Sequence, residues 1–252
     1  MTNEEYHAAP GISSTQLNLL QESALHLFNA ELFKFAPSES MSLGTLVHML
    51  TLEPELFDNQ YAIAPTVDKR TTAGKNQHAE FTGQANGKLV ITQNDFITAS
   101  KMAGNVKAIA GNLVTMGVKE QSYFVDDDGL TIKCRPDCYH EQQGIVVDLK
   151  TTSDISEFGL KKSIATYRYD RSAAFYLRVL RLLNLPANRF ILIFVSSTAP
   201  HMVKIREMSP GTLEAADYEI ENLLENYREF LKTKKCTNLV KQLILFGENN
   251  DD

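Results

Sequence analysis

Residues 145–150 read Ile-Val-Val-Asp-Leu-Lys, an apolar run interrupted by one acid and one lysine two positions apart. Successive side chains of a strand point to opposite faces, so Asp148 and Lys150 share one face while Val147 and Leu149 take the other. A carboxylate and an ammonium then project together from one strand. Upstream, Pro136-Asp137 lies one short connection away, and antiparallel pairing would bring Asp137 beside Asp148. That arrangement suits a divalent metal facing a phosphodiester.

The surrounding pattern has period two. Residues 120–125 predict a first strand, Asp-Asp-Asp-Gly at 126–129 a tight turn, 130–136 a second strand and 144–149 a third, together a β-meander. An EF-hand reading of Asp126, Asp127 and Asp128 fails, because the required glycine and final glutamate do not follow at the right offsets.

Helical spacing dominates before the meander. Ser13 and Gln16 fit a capping box, and Leu17, Leu20, Ala24, Leu27 and Phe28 predict a helix through residue 33. A second helix over 42–53 ends before Pro54, with Gly44 and His48 one turn apart on one face, where the glycine permits close approach to His48. A lone histidine in an apolar helix is more often a satisfied core residue than a ligand. Residues 63–89 are polar and glycine-punctuated, which predicts a long loop or loosely helical insertion carrying Lys69, Arg70, Lys75 and Lys88. Residues 91–114 predict an amphipathic helix that buries Phe96, Met102, Val106 and Ile109.

After the meander, a helix over 156–183 restarts near Tyr167 and carries Tyr169, Phe175 and Tyr176. Residues 189–197 predict a buried strand and 201–208 its alternating partner. Ser209-Pro210 starts a helix towards residue 235, followed by a short apolar segment and an acidic tail.

A formal charge of −6 hides an uneven distribution. Lys161, Lys162, Arg168, Arg171, Arg178, Arg181 and Arg189 face a single nearby acid, Asp170, which predicts a basic face able to meet phosphate. With 252 residues, 43% of them hydrophobic, the chain can bury one core. We expect a single domain over 1–252, with N-terminal helices at 1–62, an insertion loop and helix at 63–118, the catalytic sheet and basic helix at 119–207, and a C-terminal helix and acidic tail at 208–252. No run reaches membrane-spanning length, and the first ten residues lack the basic and apolar regions of a signal peptide. Cys134, Cys138 and Cys236 neither pair evenly nor repeat a metal-ligand spacing. These features predict a soluble protein of the cytoplasm, without a membrane partner.

Pro136-Asp137 followed by Asp148-Leu149-Lys150 resembles the PD-(D/E)xK nuclease superfamily. YHAAPGISSTQL, LGTLVHMLTLEPELF, DKRTTAGK, KCRPD and VVDLKTT are similar, over residues 6–180, to RecE-type (exonuclease VIII-like) phage and prophage exodeoxyribonucleases. The resemblance implies an α/β (α+β) fold with an αβββαβ core, a mixed central sheet flanked by helices. It implies Mg²⁺ or Mn²⁺ dependence and ATP-independent 5′-to-3′ degradation of double-stranded DNA from its ends. It further implies a homo-oligomeric ring, a single-strand annealing protein as partner, and a phage or prophage gene expressed in the host cytoplasm. His48 matches the family's helix histidine, Asp137 and Asp148 its metal-binding carboxylates and Lys150 its catalytic lysine. The chain departs from relatives at Ser172, where glutamine is usual four residues before Tyr176, and at Ser23-Ala24, where relatives have Ser-Pro.

On this footing Asp137 and Asp148 hold the principal metal with the Leu149 carbonyl, and Lys150 orients or deprotonates the attacking water. His48 positions a second metal. Glu120 is a further candidate ligand, although a glutamate at a strand start is more often a surface residue. Arg70, Lys75, Arg168, Arg171 and Tyr176 are candidates for DNA contact. Two other readings stand beside this one: an endonuclease of the same superfamily, which would cut closed circles, and a non-catalytic DNA-end-binding module.

Overall fold

The computed structural model describes residues 1–29, 39–68 and 70–234. Lys69, Cys236, the apolar segment near the C-terminus and the acidic tail lie outside the described residues. Thr2 and Glu5 cap each other's backbone N–H groups and start α1 (Asn3–Ala8). The helix expected after Ser13 is two helices, α2 (Gln16–Glu22) and α3 (Ala24–Phe28). Ser23 separates them, because its backbone is extended and its hydroxyl caps the His26 N–H.

Helix α4 (Glu39–Leu52) stops before Pro54, and α5 (Phe57–Gln60) leads into β1 (Tyr61–Ile63). Of the two expectations for 63–89, a long loop or a loosely helical insertion, the second is nearer: the stretch contains a full helix, α6 (Thr72–Gln84), and Thr71 starts it by accepting the Gly74 N–H. Strand β2 (Leu89–Ile91) pairs in parallel with β1, and a Thr92–Asp95 capping box opens α7 (Gln93–Thr115). Met102 and Val106 are buried on α7 as expected, but Ile109 is exposed and Ala110 buried instead. The backbone leaves helical geometry at Ala110 (φ −124°, ψ 23°), which breaks the regular spacing of the buried face there.

The expected meander is corrected. After β3 (Val118–Lys119), β4 (Tyr123–Asp127) and β5 (Leu130–Cys134) form a hairpin that is a sheet of its own. Asp128 and Gly129, both at positive φ, make its two-residue turn. Proline has no N–H to give a ladder, and the chain leaves β5 just before Pro136. It re-enters structure as β6 (Cys138–His140), which pairs with β7 (Ile145–Thr152). Then come α8 (Glu157–Tyr167), α9 (Tyr169–Leu182), β8 (Arg189–Ser196), β9 (Val203–Glu207) and α10 (Pro210–Thr233).

The central sheet has the order β3-β6-β7-β8-β9; β7 and β8 run parallel and the other neighbours antiparallel. Val146, Phe190, Leu192 and Phe194 pack against α2, α9 and α10 on one face. Ile145, Val147, Leu149, Ile191, Ile193 and Val195 pack against α4 and α7 on the other. Burial on both faces explains why β7 and β8 read as nearly continuous apolar runs. The fold is thus a mixed sheet between two helical layers. Among the described residues no helix is long and apolar enough to cross a membrane.

Candidate active site

Strand β6 pairs with β7 only as far as Cys138 opposite Val147. That register sets Asp137 against Asp148, the juxtaposition expected from the sequence. It also leaves Leu149, two residues beyond Val147, without a strand partner on that edge. Buried backbone groups must find partners elsewhere. The Leu149 N–H goes to Asp137 Oδ2 at 2.5 Å, and its carbonyl oxygen lies 2.6 Å from His48 Nε2. His48 Nδ1 in turn lies 3.4 Å from Asp137 Oδ2. Gly44 makes this possible from the helix side: a Cβ there would come within 3.3 Å of Thr151 Oγ1, so the glycine lets α4 seat closely on β7.

Glu120 follows β3 and continues toward β6, with its N–H 3.3 Å from the Asp137 carbonyl. Its backbone is left-handed (φ +51°), an uncommon state for a residue with a Cβ. Arg135 holds its carboxylate through Nε at 2.9 Å, and the same guanidinium donates to Ser122 Oγ at 2.9 Å and the Met1 carbonyl at 3.0 Å. His48, Glu120 and Asp137 each offer a ligand atom, and these atoms all lie within 4.8 Å of one another. Glu120, the least expected of the candidates, is therefore one of the three members of the cluster.

The electrostatics describe a site short of positive charge. Burial, together with repulsion from Asp137, pushes the Glu120 carboxyl up to about 7 against the pull of Arg135. Burial opposes charge on His48, but the Asp137 carboxylate overrides it and pushes the imidazole up to about 9. Burial likewise opposes charge on Asp137, yet His48, Lys150 and the Leu149 N–H hold it below the ordinary carboxylate value. A buried and a half-buried carboxylate, an imidazole and the adjacent Leu149 carbonyl form a hard, oxygen-rich donor set, which fits Mg²⁺ or Mn²⁺.

Asp148 and Lys150 project from the opposite face of β7 from Leu149, as alternation requires. Lys150 Nζ lies 2.6 Å from Asp148 Oδ2 and 5.3 Å from the centre of the Tyr169 ring. Burial and the neighbouring Asp137 raise the Asp148 carboxyl while Lys150 lowers it, and Asp148 and Asp137 keep Lys150 protonated despite its burial. A cleft of about 690 Å³ opens over His48, Glu120 and Asp137. Tyr176 lines it, as do Tyr6, Arg135 and the first residues of α1. Sequence reasoning missed Tyr6, Arg135 and Tyr169. The nearest available signal was that Arg135 adjoins Pro136-Asp137.

The expected basic face is corrected. Arg171 is 1% exposed and gives its guanidinium to Glu219, Gln21 and Asn18. Arg168 pairs with Glu219 and Asp170, and Arg178 with Asp127, Asp217 and Glu221. Arg181 donates to the Ala187 carbonyl, and Arg189 pairs with Glu207. The arginines of α9 thus fasten α10 and the β4–β5 hairpin to the core. Arg171 in particular is not presented to a ligand. Arg70 is exposed and bonded to Asp68, and Lys75 is exposed on α6; neither lines the cleft.

The sequence profile of the PDDEXK-like domain of unknown function DUF3799 matches residues 13–238. The chain belongs to this family. The DUF3799 match spans both helical layers and the whole central sheet, and the nuclease-like fold it names agrees with the architecture described above. No curated protein matches the chain. Among solved structures, a "Putative exonuclease" from Eubacterium rectale is 13% identical, with 91% of this chain and 87% of that one covered and a TM-score of 0.57. At that identity the likeness shows the fold. A phage-related exonuclease from Haemophilus somnus 129PT is 11% identical, covering 92% of this chain and 100% of the other, with a TM-score of 0.37.

Proposed function

We propose that this DUF3799 domain is a metal-dependent deoxyribonuclease that degrades linear double-stranded DNA from its ends. The observation that carries this reading is the convergence of His48, Glu120 and Asp137 around one point, with Leu149 bridging them to the Asp148–Lys150 pair. His48, Glu120, Asp137, Asp148 and the Leu149 carbonyl are the groups that would hold Mg²⁺ or Mn²⁺. A bound divalent ion supplies an acidified water and an electrophile for the phosphate oxygens.

The protein's own part is positioning and charge. Asp137 holds the Leu149 N–H and so fixes the strand segment between Asp148 and Lys150. Lys150, kept cationic by Asp148, neutralises charge that develops on the phosphate and orients the water; it is a poor base in that state. The Tyr169 ring lies against the lysine ammonium. Tyr176 and Arg135 wall the cleft that would receive the strand.

The 5′-to-3′ polarity, the 3′ overhang it leaves for recombination by annealing, the ring-shaped oligomer and the annealing partner extend this proposal. Their support is the sequence similarity to RecE-type enzymes. Incubating the purified protein with 5′-labelled linear duplex and with closed circular duplex, each in Mg²⁺ or EDTA, separates the readings. Metal-dependent release of nucleotides from the linear DNA alone is the expected result. Cutting of the circle would establish an endonuclease, and binding without hydrolysis an end-binding module.

A further inference from the structure

Tyr167 ends α8 and Tyr169 begins α9, and Arg168 between them has a left-handed backbone (φ +53°). Residues two apart on a continuous helix do not face each other. Here the break at Arg168 lets the two rings stack, 5.6 Å apart at 25° between planes. That conformation is uncommon for a residue with a Cβ. Arg168 is held in it by its pairing with Glu219 and Asp170.

The inner ring of this stack touches the reacting centre. Tyr169 lies 5.3 Å from Lys150 Nζ and packs on Phe194 of β8 at 6.2 Å. Tyr167 covers the outer side of Tyr169 and is itself 61% exposed. An aromatic path therefore runs from the lysine to the surface in two steps, ammonium to the Tyr169 ring and that ring to Tyr167. Lys161 and Lys162 stand exposed on the same helix as Tyr167, whereas Arg168, Arg171 and Arg178 are occupied by acids.

We propose that Tyr167 is a stacking platform for an unpaired nucleobase of the DNA strand, belonging to a nucleotide close to the phosphate at Lys150. This rests on the nuclease reading above. Every base presents a π face, so such a platform is tolerant of sequence, as an enzyme that consumes a whole strand requires. Tyr169 acts as a positioning residue, supporting Tyr167 on one side and Lys150 on the other.

The test is a chemical double-mutant cycle. Single-turnover release of the labelled terminal nucleotide is measured in Mg²⁺ for the wild type, Tyr167→Phe and Tyr167→Ala. Each acts on an intact linear duplex and on duplexes with one abasic nucleotide at the first, second or third position from the end. Tyr167→Ala, checked to melt at the wild-type temperature, should be slowed roughly tenfold on the intact DNA, and Tyr167→Phe should match the wild type. An abasic nucleotide at one of the three positions should slow the wild type by a similar factor and add little to the Tyr167→Ala loss, the mark of two groups in contact. Wild-type rates for Tyr167→Ala would overturn the proposal and leave the exposed ring to a protein partner. Losses that simply multiply would overturn it as well. No release by the wild type from any substrate would overturn the nuclease reading, and this proposal with it.

Discussion

Arg135 decides where the Glu120 carboxylate points. Its guanidinium is tied to Ser122 and the Met1 carbonyl as well as to Glu120, so it is a fixed anchor. Outer partners of this kind are commonly worth 10- to 100-fold in metal affinity. Arg135→Ala should therefore weaken Mn²⁺ binding about tenfold by calorimetry, with Arg135→Lys recovering part of the loss. Unchanged affinity in Arg135→Ala would remove Glu120 from the metal site. A second prediction concerns protons. Glu120 ordinarily titrates at 4.5 and is pushed up to about 7, so the folded protein holds an extra proton in that window and stability falls as pH rises through it. His48 ordinarily titrates at 6.5 and is pushed up to about 9; its contribution is complete below 6.5 and is lost as pH rises through 9. Asp137, held below 3.8, contributes stability that is lost only as pH falls through its lowered value. The metal-free protein should thus lose melting temperature steadily from pH 5 to pH 9 in EDTA. Metal needs Glu120 and His48 deprotonated, so the gain in Tm on adding Mg²⁺ should grow over the same range. A flat Tm with a constant Mg²⁺ increment would contradict both assignments.

At the scale of elements, α9 is the clearest case of a pattern that local spacing misreads. Within 161–189 Asp170 is the one acid, but the acids that hold Arg171 and Arg178 lie on α10 and in the β4–β5 hairpin, some 40 to 50 residues away in sequence. Arg171→Ala would take the guanidinium donor from Asn18, leave Glu219 and Gln21 to Arg168 alone, and should cost about 1–3 kcal/mol in urea unfolding. It should leave the salt dependence of DNA binding unchanged, since no phosphate contact is lost. Unaltered stability with a shallower salt slope would restore Arg171 as a DNA contact. Elements with a strong period were legible: β7, β8, α10, the Asp128-Gly129 turn and the break near Tyr167 all lie where the sequence places them. Strands β3 and β6, two and three residues long, carry no period to read. Helix α6 is too polar to show an apolar stripe. At the candidate site, the juxtaposition of Asp137, Asp148 and Lys150 was legible because strand alternation and spacing constrain it, whereas His48 came from the resemblance to RecE-type enzymes; the fold brings these side chains together, and their roles belong to the proposal. Arg135 and Tyr169 were not legible, because their roles depend on where the hairpin ends and how α8 and α9 break.

For the whole molecule, the sheet's unequal strand lengths make the site. β6 is short and β7 long, so β7 runs past its partner and offers unpaired backbone at Leu149. Helix α4 from one layer and Asp137 from the strand connection fill that gap, while Asp148 and Lys150 face Tyr169 in the other layer. A site built at such a step needs all its parts in register, which is why the match of DUF3799 across residues 13–238 matters more than the Asp-x-Lys motif alone. The most direct test of this account is release of nucleotide from 5′-labelled linear duplex by the wild type and by Lys150→Ala, each in Mg²⁺ and in EDTA. The account predicts release by the wild type in Mg²⁺ only, and a loss of at least about a hundredfold in Lys150→Ala with DNA and metal binding retained. Near-normal turnover in Lys150→Ala, or wild-type release that persists in EDTA, would contradict it.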